Sequence, residues 1–187
     1  ITTSGIRSVV IDLQTNSEPT DSLTEQGSNT FMDNADDNNG DMTVDFAFYS
    51  PISIGNLVFI DANQNGRADT GEGAPGVTVE IYQAGSSPGF DAPVSSVVTN
   101  ASGRYLFTGI EPGSYYVHIP NSQFVAGAPL ESLASIMGTA SGDDDTGENG
   151  IDETQPHIFG IYSSVFTTSA GSEPTGTFES VSYTHLT

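Results

Sequence analysis

Lysine, cysteine and tryptophan are all absent from this 187-residue chain, and its only cationic side chains are Arg7, Arg67 and Arg104. Without cysteine there is no disulfide, no thiolate metal site and no thiol nucleophile. The 3 cations stand against 24 Asp and Glu, a net charge of −21. A polyanion binder needs the opposite sign, which excludes nucleic acid and acidic membrane surfaces as partners. Metal cations are the natural counter-ions. No apolar run approaches the roughly 18 residues of a membrane-spanning helix. The sequence opens on Ile1 with neither a start methionine nor a signal peptide, as expected of a mature or excised piece.

What the chain does have is 21 glycines, 10 prolines and many Ser, Thr and Asn, set between short apolar stretches. Those stretches alternate with period two, the pattern of half-buried strands. The expected strands are 43–49, 54–60, 77–83, 94–100, 103–110, 114–120 and 157–168. Within 114–120 the alternation puts Tyr115, Val117 and Ile119 on one face and Tyr116 and His118 on the other. Only "PLESLASIM" (129–137) has helical spacing, for a turn or two. The fold class is therefore all-β, an antiparallel sandwich.

The chain also resembles itself. "GIRSVVIDLQTNSEPT" (5–20) aligns without gaps on "GIYSSVFTTSAGSEPT" (160–175), with eight identities in sixteen positions at a constant offset of 155. The expectation is slightly more than one period of a tandem array. Residues 1–50 are then the C-terminal part of one repeat and 51–187 most of the next, with "YSPIS" (49–53) at the boundary. On this reading the second repeat lacks its counterpart of "TVDFAFY" (43–49), and the open sheet edge is filled by the continuing chain or by another copy.

The densest chemistry lies in "IDANQNGRADTGEG" (60–73). A calcium loop of the EF type places ligands at positions 1, 3, 5, 7, 9 and 12, with glycine at 6. Counted from Asp61, those positions are Asp61, Asn63, Asn65, Arg67, Asp69 and Glu72, with Gly66 sixth. Asp61, Asn63 and Asn65 would each give one side-chain oxygen, Arg67 its carbonyl, Asp69 a direct or water-mediated contact, and Glu72 both oxygens. Three carboxylates predict an affinity of about 10⁻⁴–10⁻³ M, that of extracellular modules. The alternative is a solvated turn rich in Asx residues. No helices flank the loop, which argues for a clamp rather than a sensor that opens a groove. The clamp is expected to stiffen the junction at 50–51 as well as the loop.

Two further acidic loops are candidate second calcium sites. Asp143, Asp145, Glu148, Asn149 and Asp152 crowd around Gly150, and Asp33, Asp36, Asp37, Asn39 and Asp41 cluster in 32–41.

The stretches "SIGNLVFIDANQNGRADTGEGAPGVTVEIY" and "VVTNASGRYLFTGIEPGSYYVHIP" closely resemble the SdrD B-like repeat of bacterial surface adhesins. That repeat is related to the Cna B-type, prealbumin-like sandwich. "DDDTGENGID" and "TVDFAFY" resemble its tail, while "SVSYTHLT" (180–187) fits nowhere in it. The resemblance implies an extracellular, cell-surface β-sandwich in tandem, stiffened by calcium and associating with further copies of itself as a stalk or fibre. Many Cna B-type domains crosslink themselves through a lysine–asparagine isopeptide bond. With no lysine that bond is impossible here, and calcium would take over the stiffening.

Catalysis is not expected. The acids sit in Gly/Asn-rich turns rather than as a separated pair, His118, His157 and His185 lack metal-ligand spacing, and there is no G-x-S-x-G elbow. Each His is read as a surface or edge residue. The alternative function is a carbohydrate-binding accessory module that stacks sugars on Tyr82, Phe90, Tyr116 or Tyr162, although these rings also suit core or cross-strand pairs. The sequon at Asn100 and the Ser/Thr-rich 163–187 are weak glycosylation signals.

Overall fold

A computed structural model describes residues 5–11, 46–135, 150–151 and 153–171. By its contacts the chain divides into two units, Ile1–Phe48 and Tyr49–Thr187. In the first, the described residues 5–11 and 46–48 are exposed and form neither strand nor helix. The strand expected over 43–49 is thus not formed across its described part.

The second unit is an antiparallel sandwich. Strand β1 (Ile52–Leu57) pairs with β4 (Arg104–Ile110), from Ile52 opposite Ile110 to Leu57 opposite Arg104. The other sheet runs β3 (Ser95–Val98), β2 (Thr78–Gln83), β5 (Ser114–Ile119), β6 (Ile161–Tyr162), with β7 (Phe166–Thr167) also on β5. Ile52, Val79, Ile81, Phe107, Ile110 and Tyr115 meet between the sheets in one apolar cluster. Each such side chain removed from water contributes about 1.5–3 kcal/mol, which is what aligns the inward positions of every strand.

Two sequence expectations are corrected. Residues 129–132 are turns and 133–135 irregular rather than helix, with 136–137 outside the described residues: Leu130 N–H reaches back to the Gln123 carbonyl, and Ser132 sits at φ 62°, outside helical space. Residues 157–168 are not one strand. They divide into the short helix α1 (Pro156–Phe159), β6 and β7, because Gly160 at φ 75° turns the chain and donates its N–H to the Pro156 carbonyl. A Cβ at Gly160 would lie 2.5 Å from both His118 Nε2 and the Ile119 carbonyl, so only glycine fits.

The registers fix which end is which. Ile52, Ile110, Ser114 and Thr167 lie at one end of the sandwich, and Leu57, Arg104, Thr78 and Ile119 at the other. The described part of this unit therefore enters at residue 52 and leaves at 168 by the same end. The connection between β1 and β2, which holds 61–72, closes the opposite end.

Candidate metal-binding loop

The stems of this loop are fastened before any ligand is considered. Val58 accepts from Ala74 N–H at 2.8 Å and Ile60 N–H donates to the Glu72 carbonyl at 2.8 Å. Both bonds continue the antiparallel approach marked by Phe59 opposite Gly73. Further down, Thr99 holds the limb that leads into β2: its hydroxyl donates to the Ala74 carbonyl at 2.7 Å and accepts from Val77 N–H at 2.9 Å.

Within the loop, short polar side chains fold the backbone onto themselves, as Asx residues do. Asp61 Oδ1 accepts from Asn65 N–H at 3.1 Å and Asp61 Oδ2 from Gly66 N–H at 2.7 Å. Asn63 Oδ1 accepts from Asn65 N–H at 3.0 Å, and Asn65 Oδ1 from Arg67 N–H at 2.8 Å. Glu72 spans the mouth, with Oε1 on Ala62 N–H at 3.0 Å and Oε2 on Asp69 N–H at 2.8 Å. Asp69 Oδ2 receives the amide nitrogens of Asn63 and Asn65 at 2.7 and 2.9 Å. Arg67 leaves its side chain exposed.

The structure thus brings Asp61, Asn63, Asn65, Asp69 and Glu72 into one network across 61–72. Their oxygens are the hard donors that calcium takes. In this geometry the carboxylates are each occupied by N–H donors. Among the described residues no three His, Asp or Glu side chains converge closely enough to hold a metal ion. Ligation would require the amides of Asn63 and Asn65 to turn their oxygens inward and displace those bonds. Of the second candidates, Asp33, Asp36, Asp37, Asn39, Asp41, Asp143, Asp145, Glu148, Asn149 and Asp152 lie outside the described residues.

His118, expected at the surface or an edge, is buried at 4% exposure. It lies opposite Glu80 of β2 and Tyr162 of β6, and its Nδ1 is 3.1 Å from Glu80 Oε2. Tyr82 donates to the same oxygen at 3.1 Å, and burial followed by the Glu80 charge pushes its phenol up to about 12. The His118 ring stacks on Tyr162 at 4.4 Å, and Tyr82 stacks on Tyr116 at 5.6 Å. His118 Nε2 is buried without a hydrogen-bond partner among the described residues. Period two already placed Tyr116 and His118 on one face, but the cross-strand register that adds Glu80 and Tyr162 is not a local property of any strand.

The cluster also removes most of the surface for sugar stacking. Tyr82 and Tyr116 are buried and Tyr162 is half-buried against His118, leaving Phe90, at 92% exposure, as the one open ring of the four. At the entry end, a cleft of about 450 Å³ is lined by residues including Tyr49, Gln83, Ser95, Thr108 and Glu111. Among the described residues Glu111 is the only carboxylate in its lining, and no histidine lines it.

Two antiparallel sheets around one core, with an Asx-rich loop joining their first strands, define a small β-sandwich module. The SdrD B-like domain family matches residues 52–155, and the chain belongs to that family. It is 40% identical over 73 residues to Colossin-B of Dictyostelium discoideum, covering 37% of this chain and 2% of that protein. Colossin-A of the same organism is 37% identical over 102 residues, 48% of this chain and 1% of that protein. A fibrinogen-binding protein of Staphylococcus epidermidis is 31% identical over 121 residues, 63% of this chain and 10% of that protein. The chain therefore spans a tenth or less of these relatives. Because they include both Dictyostelium and Staphylococcus proteins, family membership does not carry a bacterial origin with it. No helix among the described residues is long and apolar enough to cross a membrane.

Proposed function

We propose that this chain is a non-catalytic structural module of an extracellular or cell-surface filament or adhesin stalk, repeated in line with further copies and stiffened by calcium in 61–72. The observation that carries the reading is the loop itself, where five oxygen-bearing side chains are gathered on one strand-to-strand connection whose stems are already tied. Calcium would supply a multivalent centre that replaces the N–H donors now facing those oxygens. Asp61, Asn63, Asn65, Asp69 and Glu72 would hold it by their side chains and Arg67 by its carbonyl. Any ion bound beyond the first falls to the acidic loops at 32–41 and 141–153. Tandem order rests on the sixteen-residue self-match at an offset of 155, and strand complementation on β1, which among the described residues pairs only with β4.

The position of the loop narrows what calcium can stiffen. It lies at the Leu57 end of β1, a strand's length from Ile52, so the ion would brace the module's far end rather than the junction at 50–51. Calorimetric titration with calcium, paired with melting in calcium and in chelator, tests the proposal. At ten times a dissociation constant of about 10⁻⁴–10⁻³ M the module gains about 1.4 kcal/mol, a rise of roughly 3–6 °C. Glu72→Gln should abolish most of that gain. No heat of binding and identical melting in chelator would refute it.

A further inference from the structure

The same loop holds a reactive pair, the dipeptide Asn65–Gly66, whose asparagine is also one of the proposed calcium ligands. In an Asn–Gly step the glycine nitrogen, unhindered by a neighbouring side chain, attacks the side-chain amide carbon. The N–Cγ bond forms, the Cγ–Nδ2 bond breaks, and ammonia leaves with the proton from the glycine nitrogen. Water then opens the succinimide at either carbonyl. One opening gives aspartate and the other isoaspartate, whose main chain runs through Cβ and Cγ. Water is the only co-reactant.

In the folded loop every group this reaction needs is engaged. The nucleophile, Gly66 N–H, belongs to a buried residue and donates to Asp61 Oδ2 at 2.7 Å. Asn65 Oδ1, which must swing as the ring closes, is held by Arg67 N–H at 2.8 Å. The leaving amide nitrogen donates to Asp69 Oδ2 at 2.9 Å. Asn65 N–H is itself fixed by Asp61 Oδ1 and Asn63 Oδ1 at 3.1 and 3.0 Å. Bringing Cγ onto the Gly66 nitrogen breaks the first three of these together.

We infer that Asn65–Gly66 is a latent self-modification site, kept from deamidating by the hydrogen-bonded loop and able to convert only while the loop is open. Isoaspartate lengthens the backbone at 65 and removes the Asx turn to Arg67, so the loop does not reclose in its original form. Aspartate adds a carboxylate to a network that already contains Asp61, Asp69 and Glu72. Conversion is therefore a one-way record of opening. In the ion-free loop protection rests on the hydrogen bonds alone.

The test incubates the full chain at mildly alkaline pH, native and in urea, each in calcium and in chelator. Digestion and mass spectrometry then quantify replacement of NH2 by OH at position 65. Each of the three bonds contributes a few-fold, so native conversion should be slower than unfolded conversion by roughly thirty-fold or more. Asp61→Ala, which frees Gly66 N–H and removes one of the two acceptors of Asn65 N–H, should raise the native rate a few-fold. Should that variant fail to fold, Asp69→Ala releases the leaving amide, together with that of Asn63, and should also give an intermediate rate. Equal native and unfolded rates overturn the inference, as do folded variants as slow as the parent. Slow conversion in urea also overturns it, because the step would then not be reactive. Equal protection in calcium and chelator supports this inference while removing the ion from the proposed function. Protection lost in chelator overturns the inference, because the hydrogen-bonded loop without an ion is then not what protects.

Discussion

Replacing Thr99 by valine tests how the return limb of the 61–72 loop is held. Thr99 is 4% exposed, and its hydroxyl serves the Ala74 carbonyl and the Val77 N–H, both on buried residues. The backbone adds Thr99 N–H to the Val77 carbonyl at 2.9 Å and Gly76 N–H to the Thr99 carbonyl at 3.1 Å, so valine would still be positioned by the chain. Its shape nearly matches, but it can neither donate nor accept. Losing the acceptor of a buried N–H costs about 1–3 kcal/mol, and the orphaned carbonyl adds about 0.5–1.5 kcal/mol. A total of about 2–4 kcal/mol lowers the melting temperature by roughly 6–12 °C in a unit of this size. Thr99→Ser keeps both bonds and loses one methyl, worth about 1 kcal/mol. Urea and thermal melts of the two variants decide between hydroxyl and volume, provided the urea slope is unchanged. If valine lay within about 0.5 kcal/mol of the parent, or serine did equal damage, the hydroxyl would not be what anchors this limb.

Phe107, fully buried between the sheets, should cost about 3–5 kcal/mol on truncation to alanine, read from the urea midpoint. Burial pushes the Tyr105 phenol up to about 12, so the fold favours its protonated form. That contribution is intact below the unfolded value of about 10 and is lost as pH rises towards about 12, on the order of 2–3 kcal/mol. Tyr105→Phe should flatten this part of an alkaline denaturation curve, and an unchanged curve would assign the loss elsewhere. Gly160→Ala meets both the 2.5 Å contacts and the left-handed φ, and should release β6 from β5 at a cost above about 1–2 kcal/mol. Faster hydrogen exchange at Ser163, whose N–H donates to the Val117 carbonyl, would report that release.

The strands at 77–83, 94–100, 103–110 and 114–120 were legible because one side of each alternates against a core, and the observed strands lie within one or two residues of them. The loop's spacing of oxygen side chains was legible because it folds locally: the Asp61, Asn63 and Asn65 side chains bond backbone two to five residues away. What period two could not give was pairing between distant strands. Glu80 and His118 are 38 residues apart and meet only through the β2–β5 register, so a histidine that looked peripheral is buried. The apolar run at 157–168 misled because its one decisive residue, Gly160, acts through its backbone angle rather than its hydropathy.

The shared end for entry and exit has a mechanical consequence. Tension applied between residues 52 and 168 meets β1 and β7 where both begin to separate from their partners, at Ile110 and Gly113–Ser114. Bonds along β1 and β4 would then be peeled one after another instead of being sheared together, and the yield force would be set by a single rung. The pair at Leu57 and Arg104, beside the stems of the 61–72 loop, is the last to part. A brace there does nothing for the first rung and decides whether the strand comes away completely.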